Sequence, residues 1–185
     1  MLKMSMLAKV LISVGVVLGG FFAYVGTRPS EMYVAREITV NATPEAVFPF
    51  INNSKKADAW MPWKDSDPGV QMTYVGPEEG VGSKSTWDSK GQMGTGEALV
   101  VASVPNQSVK TQLTYTKPFT MSQMAEISLS PETSGTKVRW SVSGQSNFFF
   151  KLMGVFKDCD SMIGPEFEKG LSRLKSQVEA QKSVK

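Results

Sequence analysis

From residue 32 onward, hydrophobic and polar residues alternate in short segments, a pattern typical of strands with one buried face. In the first segment Val34, Arg36, Ile38 and Val40 share one face of the strand. Turn-forming residues separate the segments, and no connection is long enough for a crossover helix, so the pattern predicts an antiparallel meander. The six strands predicted after the first cover residues 70–75, 82–88, 95–103, 108–116, 121–130 and 136–144.

A helical pattern follows the last predicted strand, with apolar residues mostly three or four positions apart over residues 148–178. The pair Gly164 and Pro165 interrupts this pattern, because proline lacks an amide donor and restrains the residue before it. We therefore expect two helical segments, of which the one from Phe167 onward is the better defined.

Two shorter features lie between the first strand and the meander. A brief helix is expected to begin at Pro44, with Thr43 able to cap its free amides. Further on, the motif Trp60-Met61-Pro62-Trp63 places two large rings on either side of a proline. Either both rings fill the end of the core, as buried aromatic residues usually do, or at least one lies at the mouth of a ligand site.

The chain begins with a basic stretch, followed by an uncharged run rich in Val, Leu, Gly and Phe over residues 10–25. Counted over residues 6–26, the run reaches about 20 residues, enough to cross a hydrocarbon core of about 30 Å. A cleaved signal peptide looks similar, but residues 22–27 contain no clean small-x-small cleavage site. We therefore favour an uncleaved anchor and linker over residues 1–29, followed by one domain over residues 30–185.

The charges that flank the apolar run give a weak indication of its orientation. Lys3 and Lys9 precede the run, whereas Arg28 and Arg36 follow it. The positive-inside rule slightly favours an internal amino terminus, which would place the domain on the periplasmic side of a bacterial inner membrane. No cysteine lies near the run, which excludes a lipoprotein anchor of the bacterial type.

Composition excludes several classes of function. The formal net charge is +3, but Lys3, Lys9 and Arg28 flank the apolar run, so the remaining basic residues equal the 17 acidic ones in number. A nucleic-acid-binding domain would carry a basic face, which this balance does not indicate. The chain has no histidine, and Cys159 is its only cysteine, which excludes Cys/His zinc sites, Ser-His-Asp and Cys-His machinery and disulfide frameworks. We expect no cofactor and no metal.

Several motifs together resemble the START-like (SRPBCC) superfamily, in particular its membrane-anchored proteins described as polyketide cyclase/dehydrase-like. The resemblance covers about residues 32–181 and implies the helix-grip fold, an α+β arrangement in which a curved antiparallel sheet surrounds a long carboxy-terminal helix. Here one transmembrane helix would precede it. The matching segments are 36–38 with 42–48, 60–63, 74–77 with 80–83, 94–97, 117–119, 135–140 and 167–175.

The resemblance implies an apolar cavity between the sheet and the helix. Such a cavity would hold a hydrophobic or amphipathic small molecule or a lipid. The aromatic triplet of residues 148–150 cannot face one side of a helix, so at least one ring is expected to be exposed or to cap the cavity. The residues predicted to line the cavity, each of which could instead be ordinary core, are Trp63, Tyr74, Trp87, Met93, Tyr115, Phe119, Met153, Phe156 and Met162.

Three functions remain compatible with the sequence. We favour a membrane-anchored binding domain without catalysis. A cyclase- or dehydrase-type enzyme would need a carboxylate in the cavity, and Glu97 is the candidate if it points inward rather than into water at a strand end. The third alternative is an interaction module with a filled core.

Asp158 and Asp160 lack the spacing of a calcium loop.

Overall fold

A computed structural model describes residues 5–28, 30–91, 93–145, 151–152, 154–155 and 159–182 of the chain. Its helices are α1 Met6–Thr27, α2 Pro44–Asn52, α3 Ser54–Trp60, α4 Trp63–Ser66 and α5 Cys159–Lys182. Its strands are β1 Glu31–Val40, β2 Gln71–Val75, β3 Lys84–Asp88, β4 Thr95–Val104, β5 Ser108–Lys117, β6 Met121–Glu132 and β7 Gly135–Gln145.

The seven strands form one antiparallel sheet in the order β1-β7-β6-β5-β4-β3-β2. Strands β2 to β7 are therefore a meander, as the short connections predicted, and β1 joins it beside β7. The predicted strands agree with the observed ones to within two residues at each end. With α5 packed on it, the curved sheet has the predicted helix-grip arrangement.

The region between β1 and β2 is more helical than its sequence indicated. Helix α2 begins at Pro44, as predicted, but the Thr43 side chain does not cap it. A second helix, α3, follows it over Ser54–Trp60, where no helix was predicted from the sequence. Its cap is Asn53, whose side-chain oxygen accepts hydrogen bonds from the backbone amides of Lys55 and Lys56 at 3.1 Å each.

Helix α5 runs without interruption through Pro165, so the prediction of a break at Gly164 and Pro165 was wrong. Proline at position 165 has no amide to donate to the Ser161 carbonyl, yet the helix continues through it. Residues 151–152 and 154–155, which precede α5, are also helical. The aromatic triplet of residues 148–150 lies outside the described residues.

Helix α5 packs mainly on β1 and more lightly on β7. Trp140 of β7 and Phe167 of α5 are buried and stacked at the centre of this contact. Trp60 meets Trp140 edge-on, with ring centroids 5.2 Å apart, and its indole N–H donates to the Phe50 carbonyl at 3.0 Å. Trp60 is therefore a core residue, as one of the two alternatives for its motif has it.

A charged contact also joins β1 to α5. Arg36 of β1 donates to both carboxylate oxygens of Asp160, at 2.7 and 2.8 Å, and to Glu168 at 2.7 Å. Gly164 lies between these two acids on the same helix face, and a Cβ there would collide with the Arg36 guanidinium. The absence of a side chain at Gly164 thus makes room for the ion pair.

Helix α1 is long and apolar enough to cross a bilayer, and a signal sequence would meet the same criterion. It contains 22 residues, which at 1.5 Å per residue corresponds to about 33 Å. Three residues, 28–30, connect it to β1.

Candidate ligand-binding site

The inner face of the sheet is the one on which α5 packs, and it carries Trp140. Two rows of side chains cross this face near the end where β3 and β5 finish. Because directly paired residues of antiparallel strands point to the same side, the strand register places each row on one face. The first row runs Met72, Trp87, Gly96, Tyr115 and Met121. The second runs Tyr74, Ser85, Ala98, Leu113, Gln123, Gly144 and Met32, and crosses all seven strands.

Trp87 and Tyr115 form the aromatic centre of the first row. Their rings meet edge-on, with centroids 5.3 Å apart, across β4, which lies between them. Gly96 of β4 makes this possible, because a Cβ there would overlap the Trp87 ring and lie 2.6 Å from the Thr114 carbonyl oxygen. The Trp87 indole N–H donates to the Met93 carbonyl at 3.3 Å, which fixes the ring orientation.

The Tyr115 hydroxyl is a polar group in this apolar surrounding. Within the described part of the chain, no group forms a hydrogen bond with it. Burial raises the pKa of Tyr115, because removal from water disfavours the phenolate. The group is therefore a neutral hydroxyl that can donate to, or accept from, a polar atom of a ligand.

Tyr74 and Asp58 form a polar contact at the β2 end of the second row. The Tyr74 hydroxyl donates to Asp58 at 2.7 Å, and Lys64 pairs with the same carboxylate oxygen. The pKa of Tyr74 is raised well above its usual value, first by burial and then by the hydrogen bond to Asp58. Tyr74 is thus held in place by its hydroxyl, and Lys55 Nζ lies over its ring, 6.0 Å from the centroid.

Gln123 is a buried amide, with only 7% of its surface exposed, in the middle of the second row. The nearest acceptors of its NH₂ group are the sulfurs of Met32 and Met121, at 3.8 and 3.6 Å. Thioether sulfur is a weak acceptor, so this amide can exchange it for a better partner. The alternation of β6 points Gln123 inward, and the sequence could have revealed it.

Glu166 of α5 is a further polar group, and the sequence gave no signal for it. Its Oε2 atom is buried and has no hydrogen-bond partner in the described structure. An acceptor in this state is costly to bury without a donor.

Family comparison now gives this geometry a context. The model of a family described as polyketide cyclase / dehydrase and lipid transport matches residues 32–179. This chain belongs to that family. Comparison with curated proteins gives no match by sequence.

Several solved structures share the fold. Norcoclaurine synthase from Thalictrum flavum, a point mutant solved with a transition-state analogue, has a TM-score of 0.64 at 14% identity over 84% of this chain and 99% of that one. The Aha1 dimer from Colwellia psychrerythraea has a TM-score of 0.56 at 20% identity, over 80% of this chain and 96% of that one. The di-domain ARO/CYC protein StfQ, from the steffimycin biosynthetic pathway, has a TM-score of 0.59 at 9% identity, over 83% of this chain and 52% of its own.

Four of the predicted cavity residues of this polyketide cyclase family member come together. Tyr74, Trp87 and Tyr115 lie on the inner face. Met93 lies in the β3–β4 turn, and its carbonyl accepts the hydrogen bond from the Trp87 indole. Phe119, in the β5–β6 turn, is 44% exposed and lies beyond the end of the same strand that carries Tyr115.

The remaining predicted cavity residues do not form part of this group. Trp63 is half-buried and belongs to the central cluster, with its ring 6.1 Å from Trp140 and 6.4 Å from Phe167. Met162 is half-buried on α5. Met153 and Phe156 lie outside the residues whose side chains are described.

Glu97 lies on the opposite face of the sheet, so the suggestion that it points inward was wrong. It is paired with Thr86 and Thr114, the residues before Trp87 and Tyr115, and side chains of consecutive strand residues point to opposite faces. Its carboxylate forms an ion pair with Lys84 at 3.2 Å. The apolar residues on both sides of Glu97 misled the sequence argument, because in β4 both faces carry apolar side chains.

The described helices cover only part of the inner face. Helix α5 packs on β1 and β7, and α2 packs on β5, β6 and β7. No described helix has an extensive interface with β2, β3 or β4. The half-buried side chains of Met72, Tyr74, Ala98, Leu113 and Tyr115 lie on this side of the sheet.

A separate open groove of about 580 Å³ lies near the start of β1. Met32, Gln123 and Gly144 of the second row contribute to it, and the rest of its lining comes from the outer face. Those residues are Glu31, Tyr33, Gln112, Ser122, Met124, Ser143 and Gln145. Within the described ranges, no cluster of three or more metal-ligating side chains occurs.

Proposed function

We propose that this chain is a membrane-anchored START-like domain that binds a hydrophobic or amphipathic small molecule or a lipid. The ligand would lie against the inner face of β2 to β5, on the part of the sheet next to the part that α5 covers. The observation that supports this most directly is the pair Trp87 and Tyr115, an apolar surface with an unused hydroxyl on strands that the described helices leave largely uncovered.

The polar groups around this surface suit an amphipathic ligand better than a pure hydrocarbon. The Tyr115 hydroxyl and the Gln123 amide offer a donor and an acceptor each, and among the described residues neither has a strong partner. A ligand with one hydroxyl, carbonyl or carboxyl group could satisfy them, while its apolar part packs on Trp87. Family membership supports a small-molecule ligand in general, and the chemistry of these groups supports the amphipathic class.

Membrane anchoring is the second part of the proposal. It rests on the length and apolar composition of α1 and on the lack of a clean cleavage site at its end. The domain would lie on the periplasmic side of a bacterial inner membrane. The outward orientation of Glu97 gives no support to a catalytic carboxylate, so the proposed role is binding without a reaction.

Photolabelling of the full-length chain tests the ligand site. The protein is reconstituted in nanodiscs, incubated with a diazirine-bearing fatty acid, irradiated and digested. We expect labels on the β3 and β5 peptides that contain Trp87 and Tyr115. Labelling confined to α1 or to outer-face peptides would contradict a site between sheet and helix.

Two leucines provide a matched pair of variants for this experiment. Leu113 faces inward beside Ala98, and Leu99 faces outward beside Lys84 and Gln112. Both are half-buried in neighbouring strands. Leu113→Trp should fill the site and reduce labelling at least severalfold, whereas Leu99→Trp should leave it unchanged. Circular dichroism establishes that each variant is folded.

A further inference from the structure

The strand topology brings the start of β1 and two turns to one edge of the sheet. This edge, called the proximal edge below, consists of Glu31, the β3–β4 turn of residues 89–94 and the β5–β6 turn of residues 118–120. The far edge contains the β2–β3 turn of residues 76–83 and the β4–β5 turn of residues 105–107.

The linker holds the proximal edge close to the end of α1. Only three residues separate Thr27, the last residue of α1, from Glu31, the first of β1. An extended chain covers at most about 3.5 Å per residue, so Glu31 lies within about 14 Å of the end of α1. If α1 spans the bilayer, this distance is comparable with the thickness of a headgroup layer.

The projecting turns of the two edges differ in charge. At the proximal edge, the β3–β4 turn contains Lys90 and no acid, and Lys117 ends β5. At the far edge, the β2–β3 turn contains Glu78 and Glu79 and no basic residue; Lys84 begins the next strand, and Lys55 Nζ lies 3.5 Å from the Glu78 carboxylate. The acids near the proximal edge do not project from its turns: Glu31 and Asp88 belong to strands, and Asp67 is buried and accepts hydrogen bonds from Ser89 and Met93.

Exposed apolar surface is present on the same turns. Phe119 follows Lys117 and Pro118 and exposes 44% of its surface. A basic residue beside an exposed aromatic ring is the combination that binds the interface of an anionic bilayer, since the ring enters the acyl boundary while the cation meets the headgroups.

From these three observations we infer that the proximal edge docks onto the anionic leaflet in which α1 is anchored, through Lys90, Lys117 and Phe119. The inference rests on the proposed anchor. Trp87 lies one residue, and Tyr115 two residues, from the ends of their strands at this edge. The binding surface therefore opens beside the headgroups, and an amphipathic ligand could pass between bilayer and protein without crossing bulk water.

Spin labelling of the full-length chain tests the docked orientation. Cys159→Ser removes the only native thiol. Thr120→Cys then places a nitroxide next to Phe119, and Glu79→Cys places a matched label at the far edge. The protein is reconstituted in vesicles of phosphatidylcholine and phosphatidylglycerol. We expect the label at position 120 to be severalfold less accessible to a water-soluble nickel chelate than the label at 79, and more accessible to oxygen.

Charge reversal identifies the headgroup contact. Lys90→Glu with Lys117→Glu, in the Thr120→Cys background, should restore access of the nickel chelate to the label. Vesicles of phosphatidylcholine alone should have the same effect, because one basic residue near an anionic surface changes binding about fivefold. Lys56→Glu, at an exposed position on α3, is the control and should change nothing.

The possible outcomes separate this inference from the proposed function. Equal nickel access at positions 120 and 79, or a membrane form that lacks α1 by mass spectrometry, overturns the docked orientation. Photolabelling of the inner face in a protein with equal access would leave ligand binding in place and reject docking alone. A protected label at 120 with no inner-face photolabelling would support docking and reject the ligand site.

Discussion

The rings of Trp140 and Phe167 lie parallel, 3.9 Å apart with an interplanar angle of 2°, and join the last strand of the sheet to helix α5. Both side chains are buried, and Trp60 and Trp63 meet Trp140 edge-on. Few other described contacts connect α5 to β7, so this stack carries much of that interface.

Truncation of Phe167 is expected to be strongly destabilising. Phe167→Ala should lower the free energy of unfolding by about 3–5 kcal/mol, because it removes a buried ring and leaves a cavity against Trp140. Chemical unfolding followed by tryptophan fluorescence measures this change. Val101→Ala, at an exposed position of β4, should alter stability by no more than about 0.5 kcal/mol. Equal effects of the two substitutions would show that the stack is not central to the core.

Gly96→Ala should disturb the aromatic pair that forms the candidate site. The added methyl group would overlap the Trp87 ring and approach the Thr114 carbonyl, so we expect a loss of about 1–3 kcal/mol of stability and weaker photolabelling. The near-ultraviolet circular dichroism of Trp87 beside Tyr115 should change as well. Trp87→Phe in the same background should recover part of the stability, because it removes the ring atoms that the methyl group meets.

Gly69→Ala is the matched control for this substitution. No atom lies within 4 Å of a Cβ built at Gly69, so the change should be close to neutral. An effect at Gly69 as large as that at Gly96 would point to the loss of backbone freedom rather than to a collision.

Gly164 and Arg36 are expected to be energetically coupled. Gly164→Ala places a methyl group against the Arg36 guanidinium and should weaken its bonds to Asp160 and Glu168. In an Arg36→Ala background, the same substitution should be neutral or stabilising by up to about 1 kcal/mol, because alanine favours helix over glycine. Thermal unfolding of the four combinations measures the coupling. If Gly164→Ala has the same effect on stability with and without Arg36, the close contact between Gly164 and Arg36 is contradicted.

Alkaline pH should weaken the fold through its buried tyrosines. The pKa of Tyr115 and that of Tyr74 are raised in the folded chain, whereas an unfolded tyrosine titrates near pH 10. The unfolded chain therefore loses these protons first, and stability should be constant below about pH 9 and decrease as the pH rises through 10 and above. Unfolding midpoints between pH 7 and 11 measure this slope. Tyr115→Phe should reduce it, and an unchanged slope would show that Tyr115 is not responsible.

The sheet was predictable because its signal is local. Alternation and turn residues fix where each strand begins and which residues share a face, and both were recovered for β7, where Val138, Trp140 and Val142 point inward. The continuous helix through Pro165 was not predictable, because local propensity disfavours proline inside a helix and tertiary packing of the helix on β1 overrides that preference.

The candidate site was recovered only in part, for a physical reason. Trp87 and Tyr115 lie on the inner face, which agrees with the face predicted for them, but Glu97 could not be assigned to a face, because β4 is apolar on both sides. Gly96 makes room for the contact between Trp87 of β3 and Tyr115 of β5, and only the strand register shows that these two residues flank it. Gln123 follows the inward alternation of β6 and was overlooked because polar residues are seldom buried.

The position of β1 beside β7 has a consequence for synthesis of the protein. Val34 pairs with Val142, more than one hundred residues later in the chain. At about 5–20 residues per second, the first strand leaves the ribosome many seconds before its partner exists. During that interval, the amphipathic strand has unpaired amides and no neighbouring strand. We expect the chain to depend during this time on factors that shield nascent strands, and pairing of β1 with β7 to be the step that completes the sheet.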